Sequence, residues 1–387
     1  MNLRNARAPR RSGRAAPVRS LAAAIAKPAL MLIAVAALLA AVAGGLLRAG
    51  VTWQGLPESA LFGRAVLAHA ALMMSGFLGT MIAIERAVAV KLRWAFAAPF
   101  ASGIGSLFLL TTHSDVGAWL GVLGAGVFVG VNLVVVLRQG AAHTLLLLVG
   151  ALVWLVANLS FAAGQGGGAT VPCWFAFLVL TIVAERLEMT RLMRRHPAAR
   201  PSLHAAVLAL LAGAALSAAT PLPGGVIYGV ALAALAAWLG AFDISRRTVR
   251  AHGLSRYMAA CLLGGYVWLG VAGVAWAGMS IGLPARDVAL HALGLGFIVS
   301  MVMGHAPVIL PAVARIKLHF SLWFYVPLAL LHASLMLRLG AGLASPQLRA
   351  SGAVLNAVAL ALFAATVVGS AIASRARRGA PLPTETI

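Results

Sequence analysis

Long apolar runs recur along this chain and are separated by short basic segments. An α-helix needs roughly 17 to 25 apolar residues to cross the hydrocarbon core of a bilayer. Because backbone polar groups in lipid must be paired within their own segment, such runs predict an all-α polytopic membrane bundle. Twelve spans can be drawn, near residues 28–47, 65–90, 95–111, 116–137, 143–163, 171–189, 203–219, 224–241, 257–280, 287–305, 320–339 and 350–373.

The composition excludes two other classes of protein. Hydrophobic residues make up 62% of the chain and charged residues 10%, whereas a soluble globular domain carries about 25% charged residues. The net charge of +22 would suit nucleic acid, but the basic residues lie between the apolar spans and do not cluster on one polar surface. We therefore expect the lipid bilayer, and no nucleic acid, as a partner.

The basic residues also predict the orientation of the spans. Alternating the spans across the membrane places 25 of the 30 basic residues on one side and the remaining five on the other. Cytoplasmic loops carry the excess of Lys and Arg, so both termini are expected in the cytoplasm. The five on the outer side are Arg48, Arg64, Arg286, Arg338 and Arg349.

The same pattern predicts the organisation of the chain. We expect residues 1–27 to form a disordered basic cytoplasmic tail, 28–374 a single transmembrane domain and 375–387 a second cytoplasmic tail. The basic start and the apolar run ending Ala41-Val42-Ala43 could instead be a cleaved signal peptide. That run is long for a signal peptide, so an uncleaved first helix is preferred.

One sequence unit recurs in three of the spans. Phe77-Leu-Gly-Thr-Met-Ile-Ala-Ile-Glu85-Arg86 returns one hundred residues later as Phe177-Leu-Val-Leu-Thr-Ile-Val-Ala-Glu185-Arg186. A third copy, Gly296-Phe-Ile-Val-Ser-Met-Val-Met-Gly-His305, aligns with the segment that starts at Gly76 and has histidine in place of the glutamate. Repeats at this distance predict that spans 2, 6 and 10 are copies of one structural unit.

Three histidines on three spans lie at a similar predicted depth. At a rise of about 1.5 Å per residue, His69 and His291 lie roughly 6 Å inside the outer boundary and His332 roughly 10 Å. Neutral imidazole binds haem iron, copper and zinc, and a bis-histidine haem needs two imidazoles at one depth. His69, His291 and His332 are therefore candidate haem ligands. The alternative is that they form hydrogen bonds between helices and bind nothing.

Four glycines lie close to His69 and His291 along the sequence. Small residues of this kind let helices, or a flat macrocycle, approach closely. They are Gly76, Gly79, Gly294 and Gly296.

A second candidate site lies at the inner end of span 10. His305 follows His291 by fourteen residues, so on a regular α-helix the two lie within roughly 40° of one face. Methionine and histidine together suit copper, which makes Met301 and His305 candidate metal ligands, with ordinary packing as the commoner role of such a methionine. Pro307 and Pro311 are expected to break or kink the helix here.

Glu-Arg pairs occupy the inner ends of spans 2 and 6. Ionisable groups within a membrane usually mark a function or a buried pair. Pairing between the copies, which would fix the geometry of the bundle, is the favoured interpretation, and proton delivery is the alternative. The residues are Glu85, Arg86, Glu185 and Arg186.

Taken together, the twelve spans, the unit in spans 2, 6 and 10 and the histidines of spans 2 and 10 resemble haem-copper oxidase subunit I, whose helices form three arcs of four. Among smaller relatives the chain is most similar to NnrS-type membrane proteins. The likeness is carried by His69 to Arg86, Asp287 to Pro311 and His319 to Arg338. It implies three pseudo-symmetric four-helix units, haem and copper as cofactors, and a role in nitric oxide tolerance or electron transfer. It also implies a redox partner or further membrane subunit and a bacterial-type inner membrane.

The likeness to the oxidase is incomplete. The oxidase has a copper-binding histidine on span 6 and a His-His pair after span 7, whereas span 6 here begins Val171-Pro172-Cys173-Trp174 and residues 214–223 contain no histidine. The role carried over is therefore limited to haem or metal binding by the histidines of spans 2, 10 and 11.

The sequence contains no nucleotide-binding loop, CxxC pair or nucleophile elbow, so no motif identifies a catalysed reaction. Whether the chain is an enzyme is left open. Two further functions remain as alternatives. One is a proton-coupled secondary transporter that uses Glu85, Glu185 and His305 as its proton path. The other is a non-catalytic membrane assembly subunit.

Overall fold

The computed structural model describes residues 21–52, 59–191, 196–314 and 316–379, a part of the chain that contains helices and no strand. Eleven of its helices are long and apolar enough to cross a membrane, and a twelfth, Trp94–Phe108, is shorter. The predicted all-α bundle of about 12 helices is therefore confirmed. In chain order α1 to α12 are Leu21–Arg48, Ala60–Val90, Trp94–Phe108, Ser114–Arg138, Ala142–Ala162, Gly167–Met189, Ala199–Ala219, Pro221–Phe242, Gly253–Ser280, Arg286–Val313, Leu322–Leu343 and Pro346–Gly379.

Local chemistry sets where the helices begin and end. The hydroxyl of Ser59 accepts a hydrogen bond from the backbone N–H of Phe62 and so caps the start of α2. That helix ends at Lys91, which adopts a left-handed conformation with φ of 61°. Pro221 begins α8 directly after Thr220, a position where the missing N–H of proline costs nothing.

The twelve helices pack against one another in chain order and can be compared with the expected groups of four. Within α1–α4, α5–α8 and α9–α12 each helix contacts the next along the chain. Contacts of α4 with α5, of α8 with α9 and of α12 with α1 join the groups into a closed ring. The contacts of α4 with α5 and of α8 with α9 are as extensive as those within the groups, so the expected division into three four-helix units stays a prediction.

The three repeated helices form the centre of the ring. In α2, α6 and α10 the most apolar segment is 61%, 72% and 67% buried, whereas in the other eight long helices described the value is between 22% and 50%. Helix α10 contacts both α2 and α6. The sequence unit that recurs in spans 2, 6 and 10 therefore marks the three core helices.

Two of the core helices share an unusual backbone. Residues Leu72–Gly79 of α2 and Ala292–Val299 of α10 are π-helical, whereas α6 is a continuous α-helix. The two π segments are 220 residues apart, the same offset that aligns Gly76 with Gly296. A π turn widens the helix by one residue and is often found at functional sites. Helices α2 and α10 are thus more similar to each other than either is to α6.

Helices continue beyond the predicted ends of the transmembrane domain. Helix α1 begins at Leu21, inside the segment expected to be disordered, and α12 continues to Gly379. The alanine-rich segment from Leu21 to Ala26 has a high helix propensity, which explains the early start. The remainder of the two predicted tails, 1–20 and 380–387, lies outside the described residues.

The predicted break at the prolines of α10 is wrong. The helix runs through Pro307 and Pro311 to Ala314 instead of ending near His305. Proline has no backbone N–H to donate. The hydrogen bond from residue 311 to the carbonyl of Pro307, four residues earlier, is therefore missing. A transmembrane helix tolerates such lost hydrogen bonds where neighbouring helices enclose the backbone.

Candidate functional site

Polar side chains of the core helices gather at two ends of the bundle. We call the end that contains His69, His291 and His332 the histidine end, and the end that contains Glu85 and Glu185 the basic end. Along α2 the two ends are roughly 20 Å apart. The two sites are therefore described separately.

His69 is held by a carbonyl of α1. Its Nδ1 atom lies 2.7 Å from the backbone oxygen of Ala41. A carbonyl oxygen can only accept, so Nδ1 carries the proton, and the Nε2 lone pair has no partner among the described residues. A Cβ on Gly45 would lie 2.8 Å from Cε1 of the imidazole, so the ring fits against α1 only because residue 45 is glycine.

His291 is held by Asp287, one turn earlier on α10. Its Nδ1 atom lies 3.1 Å from the backbone oxygen of Asp287 and 2.8 Å from the carboxylate oxygen Oδ1. Both neighbours are acceptors, so Nδ1 of His291 also carries the proton. Metal-binding histidines are typically oriented in this way, by a carbonyl or carboxylate on the nitrogen that does not bind the metal.

Arg338 of α11 covers the ring of His291 and pairs with Asp287. Its Nε and one terminal nitrogen lie 3.0 and 2.9 Å from the two carboxylate oxygens of Asp287. The same terminal nitrogen is nearly equidistant from the two ring nitrogens of His291, at 3.3 and 3.1 Å. A donor on the in-plane axis of Nε2 would be far from Nδ1, so the guanidinium must lie over the face of the ring. The Nε2 lone pair of His291 therefore remains open in the plane of the ring.

The structure brings His69 and His291 together. His291 and Arg338 both lie within electrostatic range of His69. The two imidazoles also share the same state, with the proton on Nδ1 and an open Nε2. Two imidazoles in this state are candidate ligands of one metal centre.

His332 differs from the other two. The indole N–H of Trp268 donates to its Nδ1 over 2.8 Å, so in the neutral ring the proton is on Nε2. That Nε2 atom faces the backbone of α9, where a Cβ on Gly264 would lie 3.0 Å away. Neither nitrogen of His332 is available in this arrangement, which favours the hydrogen-bonding alternative for this residue.

The nearby glycines serve mainly for packing between helices. A Cβ on Gly79 would overlap Trp154, and one on Gly296 would overlap Trp268. A Cβ on Gly76 would lie 2.8 Å from that of Ser106. Gly294 is different, because its nearest neighbour, the ring of Phe175, would be 3.7 Å away, an ordinary contact.

At the basic end the core helices are linked by arginines. A terminal nitrogen of Arg86 lies 3.4 Å from a carboxylate oxygen of Glu185. A terminal nitrogen of Arg186, which is only 5% exposed, lies 2.8 Å from Nε2 of His305. The favoured interpretation, pairing between the copies, is therefore consistent with the observed contacts.

The candidate copper ligands are engaged in other contacts. Nδ1 of His305 donates to the carbonyl oxygen of Met301 over 2.7 Å, and Nε2 accepts from Arg186. The Met301 side chain is buried against Gly265. A copper ion at His305 would have to displace a permanently charged guanidinium, so this geometry does not favour a copper site.

Sequence reasoning missed the residues that orient the histidines. Asp287 lies four residues before His291, a spacing that places both on one helix face and could have been noticed. Arg338 was recognised only as an outer basic residue. Trp268 lies in a different helix from His332, and nothing in the sequence relates the two.

The chain was compared with protein families, curated proteins and solved structures. A family model described as a domain of unknown function, DUF8744, matches residues 27–372, which is most of the chain. No curated protein and no solved structure matches the chain.

Proposed function

We infer that the chain, which belongs to the DUF8744 family, is an integral membrane protein that binds haem through His69 and His291. The observation that carries this proposal is the matched state of the two imidazoles. In each of them Nδ1 donates to a fixed acceptor, the Ala41 carbonyl or Asp287. Nε2 of His69 has no partner among the described residues, and Nε2 of His291 has only Arg338, 3.1 Å away over the ring. Haem would supply an iron that alternates between the ferric and ferrous states.

The surrounding residues prepare both ligands. The carbonyl of Ala41 and the glycine at position 45 fix the tautomer and the position of His69. Asp287 and Arg338 do the same for His291, and their hydrogen bonds to each other hold the carboxylate in place. Ligands fixed in this way lose little entropy when they bind, and their basicity is raised by the acceptor on Nδ1.

Of the two roles implied by the resemblance to NnrS-type proteins, electron transfer has the stronger support. If His69 and His291 both held the haem iron, no position would be left on it for a small molecule. Nitric oxide tolerance would then depend on reduction of a partner rather than on binding of the gas. Under this proposal the protein works with a redox partner or a further membrane subunit.

The orientation is part of the same proposal. The basic end carries most of the Lys and Arg residues, so we place it in the cytoplasm of a bacterial-type cell and the histidine end at the outer face of the inner membrane. A haem close to the outer face would exchange electrons with a partner on that side.

Absorption spectroscopy tests the haem site. The full-length protein, purified in detergent from haem-replete cells, should show the spectrum of a low-spin haem with two nitrogen ligands. His69→Ala and His291→Ala should each lose that spectrum, whereas the matched variant His332→Ala should retain it. A colourless wild-type protein, or a spectrum unchanged in both ligand variants, would refute the proposal.

A further inference from the structure

The arginines at the basic end follow the pseudo-threefold order of the core helices. Glu85, Glu185 and His305 occupy equivalent positions in the three sequence copies. Arg86, the residue after the first of these, contacts Glu185 of the next copy. Arg186, the residue after the second, contacts His305 of the copy that follows. In both cases the arginine of one copy contacts the Glu or His of the next copy. Two of the three contacts that would join the three copies in a closed cycle are therefore present.

The third link cannot form. The residue after His305 is Ala306, where a third arginine would be needed to reach Glu85. Within the described residues no hydrogen bond or ion pair holds the Glu85 carboxyl, although Glu185, Arg86 and His305 all lie within electrostatic range of it. Of these groups, Arg86 belongs to the same helix, Glu185 to α6 and His305 to α10.

A count of charges shows that the cluster has one acid more than its arginines can balance. Asp243, at the end of α8, is 4% exposed and lies within electrostatic range of His305. His305 is neutral, because Nδ1 donates to Met301 and Nε2 accepts from Arg186. The three carboxylates and two guanidinium groups therefore leave one negative charge in excess. The carboxylates are Glu85, Glu185 and Asp243, and the guanidinium groups are Arg86 and Arg186. A fourth carboxylate, Glu188, lies within electrostatic range of Glu185 but is left out of the count because its side chain is 45% exposed.

An excess charge within a membrane-spanning helix is costly even at a half-buried residue such as Glu85, and one bound proton removes it. Two of the three acids already have a partner for their ionised form. Glu185 has Arg86, and Asp243 accepts from the backbone N–H of Ser245 over 2.8 Å. Glu85 has neither, and the carboxylate of Glu185 lies within electrostatic range of it.

The cluster also has polar atoms that the protein itself leaves unsatisfied. The Nε atoms of Arg86 and Arg186 are buried and have no hydrogen-bond partner within the described residues. Buried donors of this kind are normally satisfied by ordered water. Glu85 itself is half-buried, so its carboxyl is accessible from the surface of the bundle at the basic end.

We propose that Glu85 reversibly binds one proton, which it exchanges with the aqueous phase at the basic end of the bundle. The proton converts the unpaired carboxylate of Glu85 to the neutral acid and leaves the Arg86–Glu185 and Arg186–His305 contacts unchanged. This site does not depend on haem, because it lies at the other end of α2 from His69.

Infrared difference spectroscopy across a pH titration tests this proposal on the full-length protein in detergent. The wild type should gain the carbonyl stretch of one protonated carboxylic acid as the pH falls. Glu85→Gln should lose that band and retain the haem spectrum. The matched control Glu188→Gln, whose side chain is 45% exposed, should retain the band. A band that persists in Glu85→Gln overturns the proposal.

A second variant tests the missing link directly. Ala306→Arg would supply the third arginine of the ring, so it should hold Glu85 ionised and shift the band to lower pH or abolish it. A folded Ala306→Arg protein that titrates like the wild type contradicts the proposal. Because Ala306 is only 8% exposed, the larger residue can disturb folding, and in that case the isosteric Glu85→Gln variant decides alone.

Discussion

The histidine end and the basic end use the same side-chain chemistry in different ways. At the histidine end Arg338 meets Asp287 through two hydrogen bonds of 3.0 and 2.9 Å and also covers His291. At the basic end Arg86 meets Glu185 through a single contact of 3.4 Å. At the histidine end the contacts fix the imidazole of His291 with its proton on Nδ1. At the basic end the contact between Arg86 and Glu185 leaves the carboxyl group of Glu85 without a partner among the described residues.

Under the two proposals, one repeated unit serves two functions. The three copies agree at the basic end, where each contributes a Glu or His at the equivalent position. They differ at the histidine end, where α2 and α10 have a π segment and a histidine and α6 has neither. The proposed ligands, His69 on α2 and His291 on α10, come from two of the three copies and would hold one haem between them. The third copy, α6, contributes no ligand and packs against its neighbours.

Removal of the arginine at each end should give the largest and most unequal effects. Arg338→Ala leaves the Asp287 carboxylate with only the hydrogen bond from His291 and should lower the free energy of unfolding by about 2–4 kcal/mol, less than for a fully buried pair because Asp287 is 30% exposed. Arg86→Ala should lower it by about 1 kcal/mol, because the contact that it removes is long. Unfolding in mixed micelles of increasing SDS content measures both values.

Arg349→Ala is the control for these two variants, because this exposed residue should contribute less than about 0.5 kcal/mol. An Arg86→Ala variant as destabilised as Arg338→Ala would show that the two ends are equally rigid.

A smaller effect is expected in the π segment of α10. Gly296→Ala places a Cβ where it overlaps Trp268, the donor to His332, and should cost about 1–3 kcal/mol through displacement of that indole. Gly294→Ala, two residues away in the same segment, meets only an ordinary contact with Phe175 and should be tolerated. Equal thermal midpoints for the two variants would mean that Trp268 moves freely and does not fix His332.

The architecture could be predicted from the sequence, because the properties that determine it are local. Runs of about 20 apolar residues, basic loops and a repeated unit depend on composition and spacing alone. The pairing of Glu185 with the other copy also followed from the repeat. Depth along a helix was equally accessible, so His69 and His291 were recognised as members of one layer.

Side-chain orientation could not be predicted in the same way. The angle between His291 and His305 assumed a regular α-helix, but the π segment Ala292–Val299 lies between them and changes the rotation per residue. His332 shares the depth of the other histidines, yet its hydrogen bond from Trp268 depends on a helix 64 residues away in sequence. Tertiary contacts of this kind determine which nitrogen is open.

The smallest expected effect comes from replacing each arginine with lysine, and it tests geometry rather than charge. Arg338→Lys retains the positive charge but loses one of the two hydrogen bonds to Asp287 and the planar group over His291, so it should cost about 1 kcal/mol. Arg86→Lys should change stability by less than about 0.5 kcal/mol, because one ammonium can replace its single contact with Glu185. The same SDS titration measures the difference. If Arg338 tolerates lysine as well as Arg86 does, charge alone holds His291. The planar guanidinium would then have no part in keeping its Nε2 open.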